Sequence, residues 1–63
     1  MTPIQSKMLK MADEKLMNLG GLSRLRTITG DLRVALDAAR SSMLGQIPDD
    51  AECTRIIKIL EAN

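Results

Sequence analysis

With 63 residues, a net charge of +1, no histidine, no aromatic residue and one cysteine, the chain is a single small domain with few groups able to do chemistry. It cannot form an internal disulfide, it lacks the Cys and His ligands of a tetrahedral zinc site, and its near-neutral balance excludes a strongly basic nucleic-acid coat as a global property. A core this small rarely supplies more than ~3–5 kcal/mol, so self-association is the expected remaining source of stability.

Thr2-Pro3-Ile4-Gln5 opens the first element. Threonine is placed as N-cap, proline at the first helical position and glutamine three residues on, which is the spacing of a capping box. The predicted helix covers residues 3–19, with Leu9, Ala12, Leu16 and Leu19 in one stripe and Met8 and Met11 widening it. Gly20-Gly21 ends it, because glycine takes the left-handed conformation that closes a helix without a steric penalty.

Leu22, Leu25, Thr29, Leu32, Leu36, Ala39 and Met43 then alternate at spacings of three and four. That is a heptad seam, and it predicts a second helix over residues 22–45 that must be covered along its length. Gly30 is its weak point, since a mid-helix glycine costs roughly 0.5–1 kcal/mol relative to alanine. The helix either bends there or begins only at Thr29 or Gly30. The interaction seam is Leu22, Leu25, Leu32, Leu36, Ala39 and Met43. On one flank Arg26, Arg33 and Arg40 recur every seven residues. This row is a candidate electrostatic recognition edge for carboxylates or phosphates. Its plainer reading is a solvated flank whose guanidinium groups pair with nearby acids such as Asp31 and Asp37.

Gly45-Gln46-Ile47-Pro48 breaks the chain again, and a third helix is predicted over 49–61, with Asp49 and Glu52 as a capping box. Cys53, Ile56, Ile57 and Leu60 line one face. Ile59 lies off that stripe and hints at a second contact surface.

No catalytic residue, cofactor site or metal site is expected. The commonest general base is missing, and Cys53 falls on an apolar stripe where a thiol is inert. Asp49, Asp50 and Glu52 suit a helix N-terminus without any cation, and the glycines match no phosphate-binding spacing. No apolar run is long enough for a membrane span and no signal-peptide pattern opens the chain, so a cytoplasmic location follows by default. Charge is divided unevenly: residues 1–30 carry +3 and residues 31–63 carry −2, which favours packing between halves or between copies.

The expectation is therefore an all-α domain over residues 1–63, two or three helices forming a small hairpin or bundle completed by dimerisation. Its expected function is non-catalytic: a regulatory module whose partners are a second copy of itself and another protein that it binds or inhibits. The alternative is a small dimeric DNA-binding regulator. It is either helical or ribbon-helix-helix-like, and in the latter case Ser23–Ile28, which alternates in polarity, forms a strand ahead of two helices with Arg24 and Arg26 on one face.

Overall fold

The computed structural model describes residues 1–63, and every regular element in it is helical. Helix α1 spans Pro3–Asn18, a 3-10 helix spans Leu22–Thr27, α2 spans Gly30–Met43 and α3 spans Asp50–Ala62. The all-α bundle expected from periodicity is what the chain forms.

α1 begins at the predicted capping box. The Thr2 hydroxyl accepts from the Gln5 amide at 3.1 Å, and Gln5 Oε1 accepts from the Thr2 amide at 2.8 Å. The same two side chains reach across the fold. Gln5 Nε2 donates to the Pro48 carbonyl at 2.8 Å and the Thr2 hydroxyl donates to the Asp50 carboxylate, so the first turns of α1 and α3 are tied together. Further along, Leu60 of α3 lies beside Met11 and Asn18 of α1. The two helices thus run side by side in the same direction, and theirs is the most extensive packing in the molecule. Met8 and Ala12 are buried on α1; Cys53, Ile56, Ile57 and Leu60 are buried on α3, as its stripe predicted.

The stretch after Gly21 is not one helix. Thr27, Ile28 and Thr29 are consecutive β-branched residues with restricted χ1 freedom in a helix, and Ile28 and Thr29 are extended. Gly30 follows at φ +72°, and of the starting points open to α2 it is the one used. The heptad pattern survives upstream because a three-residue spacing fits a 3-10 helix as well as an α-helix. The kink brings Ile28, which lies outside the seam, into the core at 9% exposure.

Arg33 holds the two parts together. Its Nη1 donates to the Leu25 carbonyl at 2.9 Å and more weakly to Ile28 at 3.5 Å, while its Nε donates to Asp37 at 3.0 Å. The Leu25 carbonyl, which already accepts from the Ile28 amide at 3.2 Å, thereby takes a second donor from α2, and the Ile28 carbonyl at the kink receives the weaker one.

On α2 the buried face comprises Ala35, Leu36, Ala39 and Ser42, with Leu32 half-buried. It is rotated from the predicted seam: Ala35 and Ser42 face inward, and Met43 faces out. Ser42 is tolerated inside because its hydroxyl donates to the Ala38 carbonyl at 2.9 Å.

α3 is capped by half of the predicted box. Asp49 accepts from the Glu52 amide at 2.9 Å, but the Glu52 carboxylate pairs with Arg55 at 3.1 Å instead of returning to the cap. Ile59 packs, partly buried, against the core and does not open a second surface of its own. Ser23–Thr27 is 3-10 helix, not strand, so the ribbon required by a ribbon-helix-helix arrangement is not formed here.

The radius of gyration is 10.6 Å, matching the roughly 10.6 Å that size scaling gives for a folded domain of this length. No buried side-chain polar atom lacks a hydrogen-bond partner. Apolar exposure in this molecule is therefore a matter of which residues face outward, not of loose folding.

Candidate functional site

Nine large apolar side chains are at least a third exposed. Scattered singly they would need no explanation. Four of them, Met17, Leu22, Met43 and Leu44, gather around one open cleft of about 360 Å³, and their exposures run from 56% to 87%. Leu16, Gly21, Asp13 and Arg40 complete its lining.

The cleft is built by two helix ends. α1 closes with the Gly21 amide bonded to the Leu16 carbonyl at 2.9 Å and the Gly20 amide to Met17 at 3.1 Å, a Schellman pair with Gly20 at φ +108°. α2 closes in the same way, Gln46 to Ser41 at 3.2 Å and Gly45 to Ser42 at 3.0 Å. Each motif turns the chain sharply away and leaves the last apolar residues of its helix uncovered. α1 contributes Asp13, Leu16 and Met17 to the lining, α2 and its C-cap contribute Arg40, Met43 and Leu44, and Gly21 and Leu22 come from the stretch that follows α1.

The predicted seam is divided by this arrangement. Leu25, Leu36 and Ala39 are buried in the core and Leu32 is half-buried against it, whereas Leu22 and Met43, its two ends, are exposed and line the cleft. The parts of the ridge that one chain leaves uncovered are the parts brought together here.

The arginine row is divided as well. The kink at Ile28–Thr29 takes Arg26 out of register with α2, where it is exposed on the 3-10 helix. Arg33 is engaged with backbone carbonyls and Asp37, so it follows the plainer reading of the row. Arg40 lines the cleft. The chain's ion pairs are Arg33–Asp37 and Arg55–Glu52, so Arg40 and Asp13 face the cleft without ionic partners.

Met17 and Leu44 were not among the predicted site residues. The available signal was a repeated pattern: Asp13-x-x-Leu16-Met17 and Arg40-x-x-Met43-Leu44 each place a charge and two apolar residues at i, i+3 and i+4 just before a glycine turn.

Cys53 is fully buried, with its sulfur 3.5 Å from the Pro48 carbonyl. Burial pushes its thiol above the ordinary value of 9.0, and the carboxylates of Asp50, Asp49 and Glu52 push in the same direction. That environment opposes thiolate formation. No group of three or more metal-ligating side chains converges anywhere in the fold, and no helix is long and apolar enough to cross a membrane. Comparison with protein-family models, with curated proteins and with solved structures finds no match.

Proposed function

We propose that this chain is a non-catalytic interaction module, a dimeric helical bundle that binds or inhibits another protein. The observation that carries this reading is the cleft, where four exposed apolar side chains of a well-packed domain are concentrated at one end. Contiguous apolar surface of that kind marks contact with a macromolecule. A small-molecule site buries about 70–90% of its ligand, whereas the walls here stand largely in solvent, so a larger occupant fits better. Methionines at positions 17 and 43 suit such a surface, because the unbranched thioether adapts to an irregular partner.

Leu44→Glu tests the reading without touching the core, since Leu44 is 87% exposed. The tagged chain and this variant, both verified as folded by circular dichroism, are used to capture proteins from the native host and then to rebuild the complex from purified parts. The expected result is a stoichiometric partner held by the parent chain, as a dimer, and lost with the variant. Equal profiles, with no protein retained by either, would contradict the proposal.

A further inference from the structure

We infer that the cleft is closed by a second copy of this chain, related by a two-fold axis, with Asp13 of each copy paired to Arg40 of the other. This rests on the dimeric reading above and says which surface forms the dimer. Two observations and one rule of symmetry converge on it.

The first is the matching of the two walls. Asp13, Leu16 and Met17 lie on one face of α1, and Arg40 and Met43 of α2 are followed by its C-cap Leu44, so both triplets are spaced at i, i+3 and i+4. The apolar pairs correspond and the leading charges are opposite. The second is the rule of isologous contact: a two-fold axis that sets residue i against residue j also sets j against i. Laying the α1 wall of one copy on the α2 wall of its partner therefore makes both contacts twice, acid to base and apolar pair to apolar pair. The third is that neither Asp13 nor Arg40 has an ionic partner within the chain. An unrelated protein would have to bring this charge pattern in complementary form, whereas a second copy already carries it.

The molecule measures 29 × 23 × 16 Å, and an interface confined to one end of it falls at the small end of the usual size range. Association in the micromolar range is the expected strength.

The test uses two charge reversals measured separately and together. Asp13→Arg sets two pairs of cations face to face in its own homodimer, and Arg40→Asp sets two pairs of anions. Each alone is expected to self-associate about a hundredfold more weakly than the parent chain, tenfold for each like-charge pair. An equimolar mixture restores both pairs and is expected to form heterodimers at about the parental strength, read by sedimentation velocity over a concentration series. Both positions are exposed, and circular dichroism checks that each variant folds. If either fails to fold, dilution of the unmodified protein supplies the readout by NMR: the Met17 and Met43 methyl signals move with concentration while that of the buried Met8 does not.

Heterodimers formed only on mixing support the proposal, as does the selective movement of the two methyl signals. Single variants that associate as strongly as the parent overturn it and leave the dimeric module standing. A mixture no stronger than its components overturns the reciprocal pairing. Methyl signals that all stay fixed, or a parent chain monomeric up to millimolar concentration, overturn both this inference and the dimeric reading beneath it.

Discussion

Replacing Arg33 with alanine separates a structural arginine from a recognition arginine. Its Nη1 donates to the Leu25 carbonyl at 2.9 Å and its Nε meets Asp37 at 3.0 Å, with the two side chains 40% and 48% exposed. A hydrogen bond from a charged donor contributes about 1.5–3 kcal/mol, and partial exposure places this one at the lower end. The half-exposed i,i+4 ion pair adds about 0.3–0.5 kcal/mol. Together these predict a loss of about 2 kcal/mol. For a chain of 63 residues, total stability is about 3–9 kcal/mol, so the loss is a large fraction of it. At about 4–8 °C per kcal/mol for a domain this small, the melting temperature falls by roughly 8–16 °C. Thermal and urea unfolding followed by circular dichroism measure it, at one fixed protein concentration because association itself adds stability. Arg26→Ala is the control, with an expected change within about 0.5 kcal/mol for an exposed side chain on the 3-10 helix. Equal, small effects at Arg33 and Arg26 would refute the anchoring role and return Arg33 to the free surface.

Other consequences are independent of that one. Gly20→Ala places a Cβ 2.7 Å from Arg24 Cγ on a backbone at φ +108°; the arginine stem can yield but the backbone conformation cannot, so a loss of about 1–2 kcal/mol is expected in denaturant unfolding. Thr2→Ala removes the N-cap of α1 together with its bond to Asp50, and a loss of about 1 kcal/mol should appear with faster amide exchange in the first turns of both α1 and α3. The Cys53 thiol is held above its ordinary 9.0 in the folded chain, so the unfolded chain ionises first as pH rises. The thiol's contribution is complete below about pH 8 and declines above that ordinary value. The melting temperature should therefore fall on the alkaline side, Cys53→Ala should flatten that fall, and a thiol reagent at neutral pH should label Cys53 only after unfolding. An unchanged alkaline slope in Cys53→Ala would assign the effect to other groups.

The elements whose signals are local were readable from the chain. Thr2 and Gln5 carry a complete capping box within four residues, Gly20-Gly21 and Gly45 supply helix ends, and Cys53, Ile56, Ile57 and Leu60 repeat at a spacing that has one helical interpretation. The stretch from Leu22 to Met43 was ambiguous for a physical reason. Spacings of three and four are shared by one long helix and by a 3-10 helix followed by an α-helix, and the choice is made by the β-branched run Thr27–Thr29, by Gly30 and by Arg33 bonding backwards to Leu25. That last contact is a tertiary event that no local pattern specifies. Once the kink is made, α2 turns Ala35 and Ser42 inward, and Met43 is released to the surface.

The candidate site was half legible for the same reason. Leu22, Met43 and Arg40 were singled out as parts of a continuous ridge and edge, yet they meet because the ridge is broken and its ends fold back onto the end of α1. Met17 and Leu44 belong to helix ends, where periodicity fades, and only the repeated charge-and-apolar pattern marks them. The ribbon-helix-helix form of the DNA-binding alternative loses its expected strand to the 3-10 helix.

Sedimentation equilibrium of the unmodified chain, from low micromolar to millimolar concentration, bears most directly on whether the cleft works by association. The expected result is an apparent mass that rises from 6.9 kDa toward twice that value, with Leu44→Glu remaining near the lower mass throughout. A cooperatively folded chain that keeps its monomer mass over the whole range, or a Leu44→Glu variant that dimerises as readily as the parent, would contradict it.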